Sequence, residues 1–138
     1  MKSILLIGTG GTISCRPAAD GALAPALSVR EILEFVPELD ELCHIDTLQL
    51  YDLDSTNIGP EHWLGMASAV RKHYDGYDGF VILHGTDTMA YSAAALSYLI
   101  QHSRKPIVLT GSQKSIYNRD TDARNNMLQA FAYASSDM

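Results

Sequence analysis

Gly76-Tyr77-Asp78-Gly79-Phe80-Val81-Ile82-Leu83-His84-Gly85-Thr86-Asp87-Thr88 is the stretch that decides the fold. Its first four residues are a turn cluster, since glycine and aspartate accept turn conformations that bulkier residues resist. Phe80–Leu83 is an unbroken apolar run, as expected of a strand buried on both faces. The run ends in a small, polar tip, and an Ala-rich segment over Asp87–His102 reads as a helix. Turn, buried strand, polar tip and helix in that order make one unit of a parallel α/β sheet.

The same unit recurs on both sides of that stretch. Ile4–Gly8 is a short apolar run ending in glycines, which predicts a first buried strand. Arg16–Pro25 is rich in Ala, Pro and Gly without periodicity and reads as a mobile loop. Ser28-Val29-Arg30-Glu31 is a capping box, with Ile32, Leu33, Phe35 and Val36 as the apolar stripe of a short helix. His44–Leu53 reads as a second strand, Ile45, Thr47, Gln49 and Tyr51 alternating against the other face. Pro60 opens a helix through about Tyr74, with Trp63, Met66, Ala67 and Val70 as its apolar face. Pro106–Thr110 gives a fourth strand and Ala123–Ala134 a last helix. The predicted fold is α/β, a doubly wound and mainly parallel sheet with helices on both faces, in one domain over residues 1–138. Ser135–Met138 follows a helix that should lead into another strand, so an open sheet edge is expected there.

Composition narrows the function. Net charge is −6, and the ten Lys and Arg residues are scattered, so the clustered basic surface that nucleic acid requires is missing. The N-terminus offers one Lys and four apolar residues, too few for a secretory signal or a membrane span, which predicts a cytoplasmic protein. The two cysteines, Cys15 and Cys43, lack metal-ligand spacing and read as reduced thiols.

Ligands of open α/β sheets bind at the carboxyl ends of the strands. Here those ends are Thr9-Gly10-Gly11-Thr12, Asp54-Ser55-Thr56-Asn57, His84-Gly85-Thr86-Asp87-Thr88 and Thr110-Gly111-Ser112-Gln113. Such residues also serve as ordinary turns and N-caps, but four hydroxyl-rich tips together predict a common crevice. Gly8-Thr9-Gly10-Gly11-Thr12-Ile13 begins like a dinucleotide fingerprint, yet Ile13 stands at the third glycine position, where close helix–strand packing needs no side chain. Glycines also let backbone N–H groups approach a ligand, which an oxyanion hole requires. Thr12 and Thr86 are candidate nucleophiles, and an alcohol needs a nearby base near neutral pH. Asp87 can orient a base but is a poor base itself. Lys114 is the only lysine near a tip. His84 reads as satisfying local hydrogen bonds rather than binding metal.

At these residues the sequence resembles the asparaginase family. Thr9-Gly10-Gly11-Thr12-Ile13 is similar to the family's first signature, and Tyr77 through Tyr91 is similar to its second, longer one. Asp54-Ser55 and Thr110-Gly111-Ser112-Gln113 match further family tips, and the Ser-Gln pair resembles the cytoplasmic type. The resemblance implies an amidohydrolase that converts L-asparagine to L-aspartate and ammonia without metal or organic cofactor. By position, Thr12 matches the threonine that forms the acyl-enzyme. Thr86 and Asp87 match members of the family's Thr-Lys-Asp group, and Asp87 also faces the substrate's α-ammonium. Ser55 matches the residue that holds the α-carboxylate, with Asp54, Thr56, Gly11 and Gly85 counted as substrate-binding positions beside it.

The resemblance also implies two differences. Many members carry a tyrosine after the first threonine, where this chain has Gly21-Ala22-Leu23-Ala24-Pro25. Members continue through a catalytic lysine and a smaller C-terminal domain, and none of Lys2, Lys72, Lys105 or Lys114 stands where that lysine belongs. The expectation is an incomplete N-terminal domain, part of a homo-oligomer in its full-length form. Two alternatives stand beside the asparaginase. One is the ammonia-releasing subunit of a transfer-RNA-dependent amidotransferase, which usually carries an extra N-terminal segment where this chain's first strand starts at residue 3 or 4. The other is a non-catalytic fragment or nucleotide-binding module.

Overall fold

Two apolar runs set the architecture of the protein, seen here in a computed structural model that describes residues 1–25 and 27–137, with only the backbone for residues 17 and 23–25. β1 (Ser3–Gly8) and β5 (Gly79–Leu83) lie side by side in parallel, and Ile4–Ile7 and Phe80–Leu83 are at most 2% exposed. Burial on both faces is possible only with helices on both sides. Ile4, Leu6, Val81 and Leu83 face one core with Val29 and Ile32 of α1 (Val29–Leu33) and Met127, Ala130 and Phe131 of α4 (Ala123–Ala134). Leu5, Ile7, Phe80 and Ile82 face the other, with Met66, Ala67 and Val70 of α2 (Pro60–His73) and Leu96 of α3 (Met89–Leu99).

β4 (His44–Gln49) flanks β1, and β6 (Ile107–Thr110) flanks β5, all in parallel, so the spatial order is β4-β1-β5-β6. The doubly wound parallel sheet expected from the sequence is present. The chain moves outward from β1 to β4, then returns past β1 to β5. That reversal makes the crevice between β1 and β5 the topological switch point, where open sheets of this kind bind ligands. β6 pairs on one side only among the described residues, leaving the expected open edge. Met138, the end of the run expected to lead to a further strand, lies outside the described residues.

Three readings of local structure are corrected. Arg16–Pro25 is not an irregular loop throughout: β2 (Cys15–Pro17) and β3 (Leu23–Pro25) pair as a short antiparallel hairpin, closed by Gly21 N–H donating to Ala18 O at 2.9 Å. The second strand stops at Gln49 rather than Leu53. Gly8 O accepts from both Leu50 and Tyr51 N–H, and Leu53 N–H then donates to Thr9 O at 2.9 Å, drawing the chain over the end of β1. The helix expected from Asp87 begins at Met89, because the Thr88 hydroxyl donates to Ser55 O at 2.7 Å instead of capping its own helix. Thr86 and Asp87 are thereby left in a turn. The capping box at Ser28 and Glu31 and the span of α4 are as expected.

Candidate active site

β1 is followed by Thr9 and then Gly10 and Gly11, both with positive φ, and the chain then enters a 3₁₀ turn over Thr12–Ser14. A side chain at Gly11 would be strained at its φ of 96°, and its Cβ would lie 2.7 Å from the Gly85 Cα. Gly85 in turn lies against Ser55, where an added Cβ would sit 2.7 Å from the serine Cβ. The tips of β1 and β5 therefore meet backbone to backbone, and the β5 tip packs against the Ser55 side chain in the turn after β4. Hydrogen bonds lace the same three together: Thr9 Oγ1 donates to Leu83 O at 2.6 Å, Leu53 N–H to Thr9 O, and Thr88 Oγ1 to Ser55 O.

Between these tips is a cavity of about 200 Å³ lined by Gly11, Thr12, Cys15, Asp52, Leu53, Asp54, Ser55, Gly85, Thr86 and Asp87. That is smaller than the roughly 300–1,000 Å³ of sites for drug-sized ligands. It suits a molecule the size of an amino acid better than a dinucleotide. Thr12 and Thr86, both half-buried, are on its wall, and Asp87 stands exposed at its rim. Among the described residues Ser55, 3% exposed, has no protein partner for its hydroxyl, yet no buried polar atom lacks a partner; its oxygen is reachable from the cavity. Three carboxylates, Asp52, Asp54 and Asp87, line the cavity with no Lys, Arg or His on its wall. Such a wall favours a ligand carrying a positive charge.

Of the residues singled out from the sequence, Gly11, Thr12, Asp54, Ser55, Gly85, Thr86 and Asp87 are brought together on this wall. Thr56 is not on it. Its N–H and hydroxyl donate to Asp54 Oδ1 at 2.9 and 3.0 Å, fixing the turn that presents Ser55. The fourth tip is also elsewhere. Ser112 is 2% exposed and donates to Lys114 O at 2.5 Å, and the Asp122 carboxylate accepts from the N–H groups of Gln113 and Lys114. Burial works against the charged form of Asp122, but those amides and Asn126 outweigh it and hold its carboxyl below the usual range. Lys114 pairs with Asp120 on the surface.

Three wall residues escape sequence reasoning: Leu53, Asp52 and Cys15. Asp52 falls inside the strand expected over His44–Leu53, and only the early end of β4 brings it to the cavity. Cys15 follows Thr12 by one 3₁₀ turn, and its thiol donates weakly to Gly11 O at 3.4 Å. Burial, then Asp52 and Asp54, push that thiol above its ordinary pKa, so it stays protonated and is a poor nucleophile near neutral pH. Among the described residues no group of three or more His, Cys, Asp or Glu could hold a metal ion, and no helix is long and apolar enough to cross a membrane.

The family model for the N-terminal domain of asparaginase matches residues 3–138. The chain is 43% identical over 131 residues to a glutamyl-tRNA(Gln) amidotransferase subunit of Saccharolobus solfataricus, covering 94% of this chain and 30% of that protein. It is 42% identical to the corresponding subunit of Metallosphaera sedula, at 95% and 30% coverage. Among solved structures, the thermostable L-asparaginase of Thermococcus kodakarensis superposes with a TM-score of 0.87 at 41% identity, covering 96% of this chain and 40% of that one. The L-asparaginase I of Vibrio cholerae superposes with a TM-score of 0.88 at 36% identity, covering 98% and 41%. The chain thus spans less than a third of these amidotransferase subunits and about two fifths of these asparaginases. A domain model that matches residues 3–138 makes this chain a member of the asparaginase family through its N-terminal domain.

Proposed function

We propose that this chain is the nucleophile-bearing part of an enzyme that cleaves the side-chain amide of an amino acid and releases ammonia. The observation that carries the reading is a cavity that has both Thr12 and Thr86 on its wall and Asp87 at its rim. Thr12 Oγ attacks the amide carbonyl, and backbone N–H groups at the glycine-bounded tips stabilise the oxyanion. Ammonia leaves, an acyl ester on Thr12 remains, and water hydrolyses it to the free acid. Ser55 receives the substrate's α-carboxylate, and Asp87 its α-ammonium through a charge-assisted hydrogen bond.

No lysine or histidine on the cavity wall can accept the Thr12 proton. On this reading the proton acceptor is supplied by a part of the longer relatives that this chain does not span, so residues 1–138 alone do not complete the site. The complete enzyme is expected to be a cytoplasmic homo-oligomer that uses neither metal nor organic cofactor.

Two settings share this chemistry: a free L-asparaginase, and the ammonia-releasing subunit of an amidotransferase. The 43% identity to the Saccharolobus solfataricus subunit favours the second. To test the chemistry, this chain is joined in frame to the remaining part of the Thermococcus kodakarensis asparaginase. The folded chimera should release ammonia from asparagine, the same chimera with Thr12→Ala should not, and the chain alone should be inactive. A folded but inactive chimera would overturn the amidohydrolase reading. Thr12-dependent activity of the chain alone would overturn its incompleteness. To separate the settings, the chain replaces the matching segment of the Saccharolobus solfataricus subunit. Sustained amidation of transfer RNA supports the subunit reading; ammonia release without amidation supports the free asparaginase.

A further inference from the structure

Behind the cavity wall, where the mechanism uses nothing, lies a closed row of polar groups. His84, the residue after β5, is 0% exposed, and so is Ser92 of α3. His84 Nδ1 is 2.6 Å from Gly85 O, and His84 Nε2 is 2.7 Å from Ser92 Oγ. Trp63 of α2, the only tryptophan in the chain, donates its indole N–H to Ser92 Oγ at 2.9 Å.

Elementary hydrogen-bond chemistry fixes each proton in this row. A carbonyl oxygen only accepts, so Nδ1 of His84 must carry the proton and donate to Gly85 O. In the neutral ring Nε2 is then an acceptor, and Ser92 must donate its hydroxyl to it. The serine oxygen is left to accept from Trp63, and the row closes with every donor used. Burial disfavours the charged imidazole and supports the neutral ring.

The row bears on the site through one peptide plane. The C=O of Gly85 and the N–H of Thr86 belong to the same planar unit and point in opposite directions in a trans peptide. Drawing Gly85 O back onto the buried imidazole turns the Thr86 N–H away from it. Among the described residues that N–H meets no acceptor in the protein, and both Gly85 and Thr86 line the cavity. We propose that His84, held from behind by Ser92 and Trp63, is a positioning residue that sets the orientation of the Gly85–Thr86 peptide and with it the Thr86 side of the site. The importance of this for catalysis rests on the amidohydrolase reading above; the positioning itself does not.

Two isosteric replacements divide the row. The side-chain N–H of His84→Asn stands near the former Nδ1 and keeps a donor for Gly85 O. The terminal amide of His84→Gln stands near the former Nε2, keeping Ser92 and losing Gly85. Nitrogen-15 NMR of the chain should show His84 as the neutral Nδ1–H tautomer. The amide resonances of Gly85, Thr86 and Asp87 should stay near their parental positions in the Asn variant and move in the Gln variant. In the active chimera, kcat should fall about tenfold or more for Gln and less for Asn, with KM nearly unchanged, since small misplacements at a site cost on this scale. An Nε2–H tautomer, or tip resonances that respond alike to both variants, would overturn the proposal. Should neither variant fold, Ser92→Ala keeps the imidazole and removes its rear anchor. Mixed tautomers with displaced tip resonances then support the proposal, and mixed tautomers with an unmoved tip overturn it. Expected NMR behaviour in a chimera that releases no ammonia would sink the amidohydrolase reading while leaving this positioning role in place.

Discussion

The tips of β5 and β6 read alike and do different work. His84-Gly85-Thr86-Asp87 and Thr110-Gly111-Ser112-Gln113 both leave parallel strands, β5 fully buried and β6 half-buried, through a glycine followed by a hydroxyl residue. Thr86 faces the cavity with Asp87 at its rim, whereas Ser112 is 2% exposed and bonded to its own loop. The difference comes from position in the sheet. β5 neighbours β1, across which the strand order reverses, and β6 is one strand further out. A hydroxyl-rich tip is thus not sufficient for a place on the cavity wall; adjacency to the switch point separates these two tips.

The sharpest way to break this comparison is to remove each hydroxyl in the active chimera. Thr12→Ala should lower ammonia release on the order of 10⁴-fold or more, and Thr86→Ala should do comparable damage, because residues that act as a unit are not additive. Ser112→Ala should leave kcat and KM close to the parent and instead cost about 1 kcal/mol in a urea titration, the net worth of one hydrogen bond. Comparable kinetic loss at Ser112 and Thr86 would erase the distinction.

A second test concerns how the central tips pack. Gly11→Ala meets both a disfavoured φ and the Gly85 backbone, so it should destabilise the fold by about 2–5 kcal/mol. Gly21 in the hairpin turn has a similar φ of 83° but nothing within 4 Å of an added Cβ, and its Ala variant should lose only about 1–2 kcal/mol. Equal losses in denaturant melts would mean that backbone conformation alone, and not tip-to-tip contact, matters at Gly11.

Asp87→Asn sharpens the substrate side. The residue is exposed at the rim, so removing its charge should cost what a hydrogen bond to a charged group is worth, about 1.5–3 kcal/mol. That is roughly ten- to a hundredfold in kcat/KM with asparagine, and much less with an analogue lacking the α-amino group. Equal losses on both substrates would assign Asp87 to proton transfer at the threonine instead.

The smallest expected effect is a pH dependence from behind the β5 tip. Burial lowers the His84 pKa, so the unfolded chain takes up a proton near the ordinary value of about 6.5 while the native chain does not. Stability is therefore fully present above that value and declines as pH falls through it toward the lower native pKa. Urea midpoints measured across this range should slope less in His84→Asn than in the parent; identical slopes would show that His84 is not the group responsible.

Much of this is readable without the structure. The apolar runs of β1 and β5, the Ser28–Glu31 capping box and the full span of α4 follow from periodicity and end signals. The β2–β3 hairpin does not, since three-residue strands containing Pro17 and Pro25 carry no alternation to detect. Nor does strand order, which is settled by packing between distant segments. For the same reason the sequence places all four tips at one crevice, and leaves the roles of Asp52 and Cys15 on its wall invisible. Sequence spacing locates the chemistry along the chain; where the strands stop and which of them are neighbours decides what the chemistry faces.

One covalent bond tests the assignment of the nucleophile most directly. The active chimera is mixed with asparagine, quenched in acid within the first turnover, digested and mapped by mass spectrometry. An aspartyl ester on Thr12, absent in the Thr12→Ala form, is the predicted result. Ammonia release with the ester on another residue, or with no ester on the protein at all, would contradict the assignment of the switch-point threonine as the nucleophile.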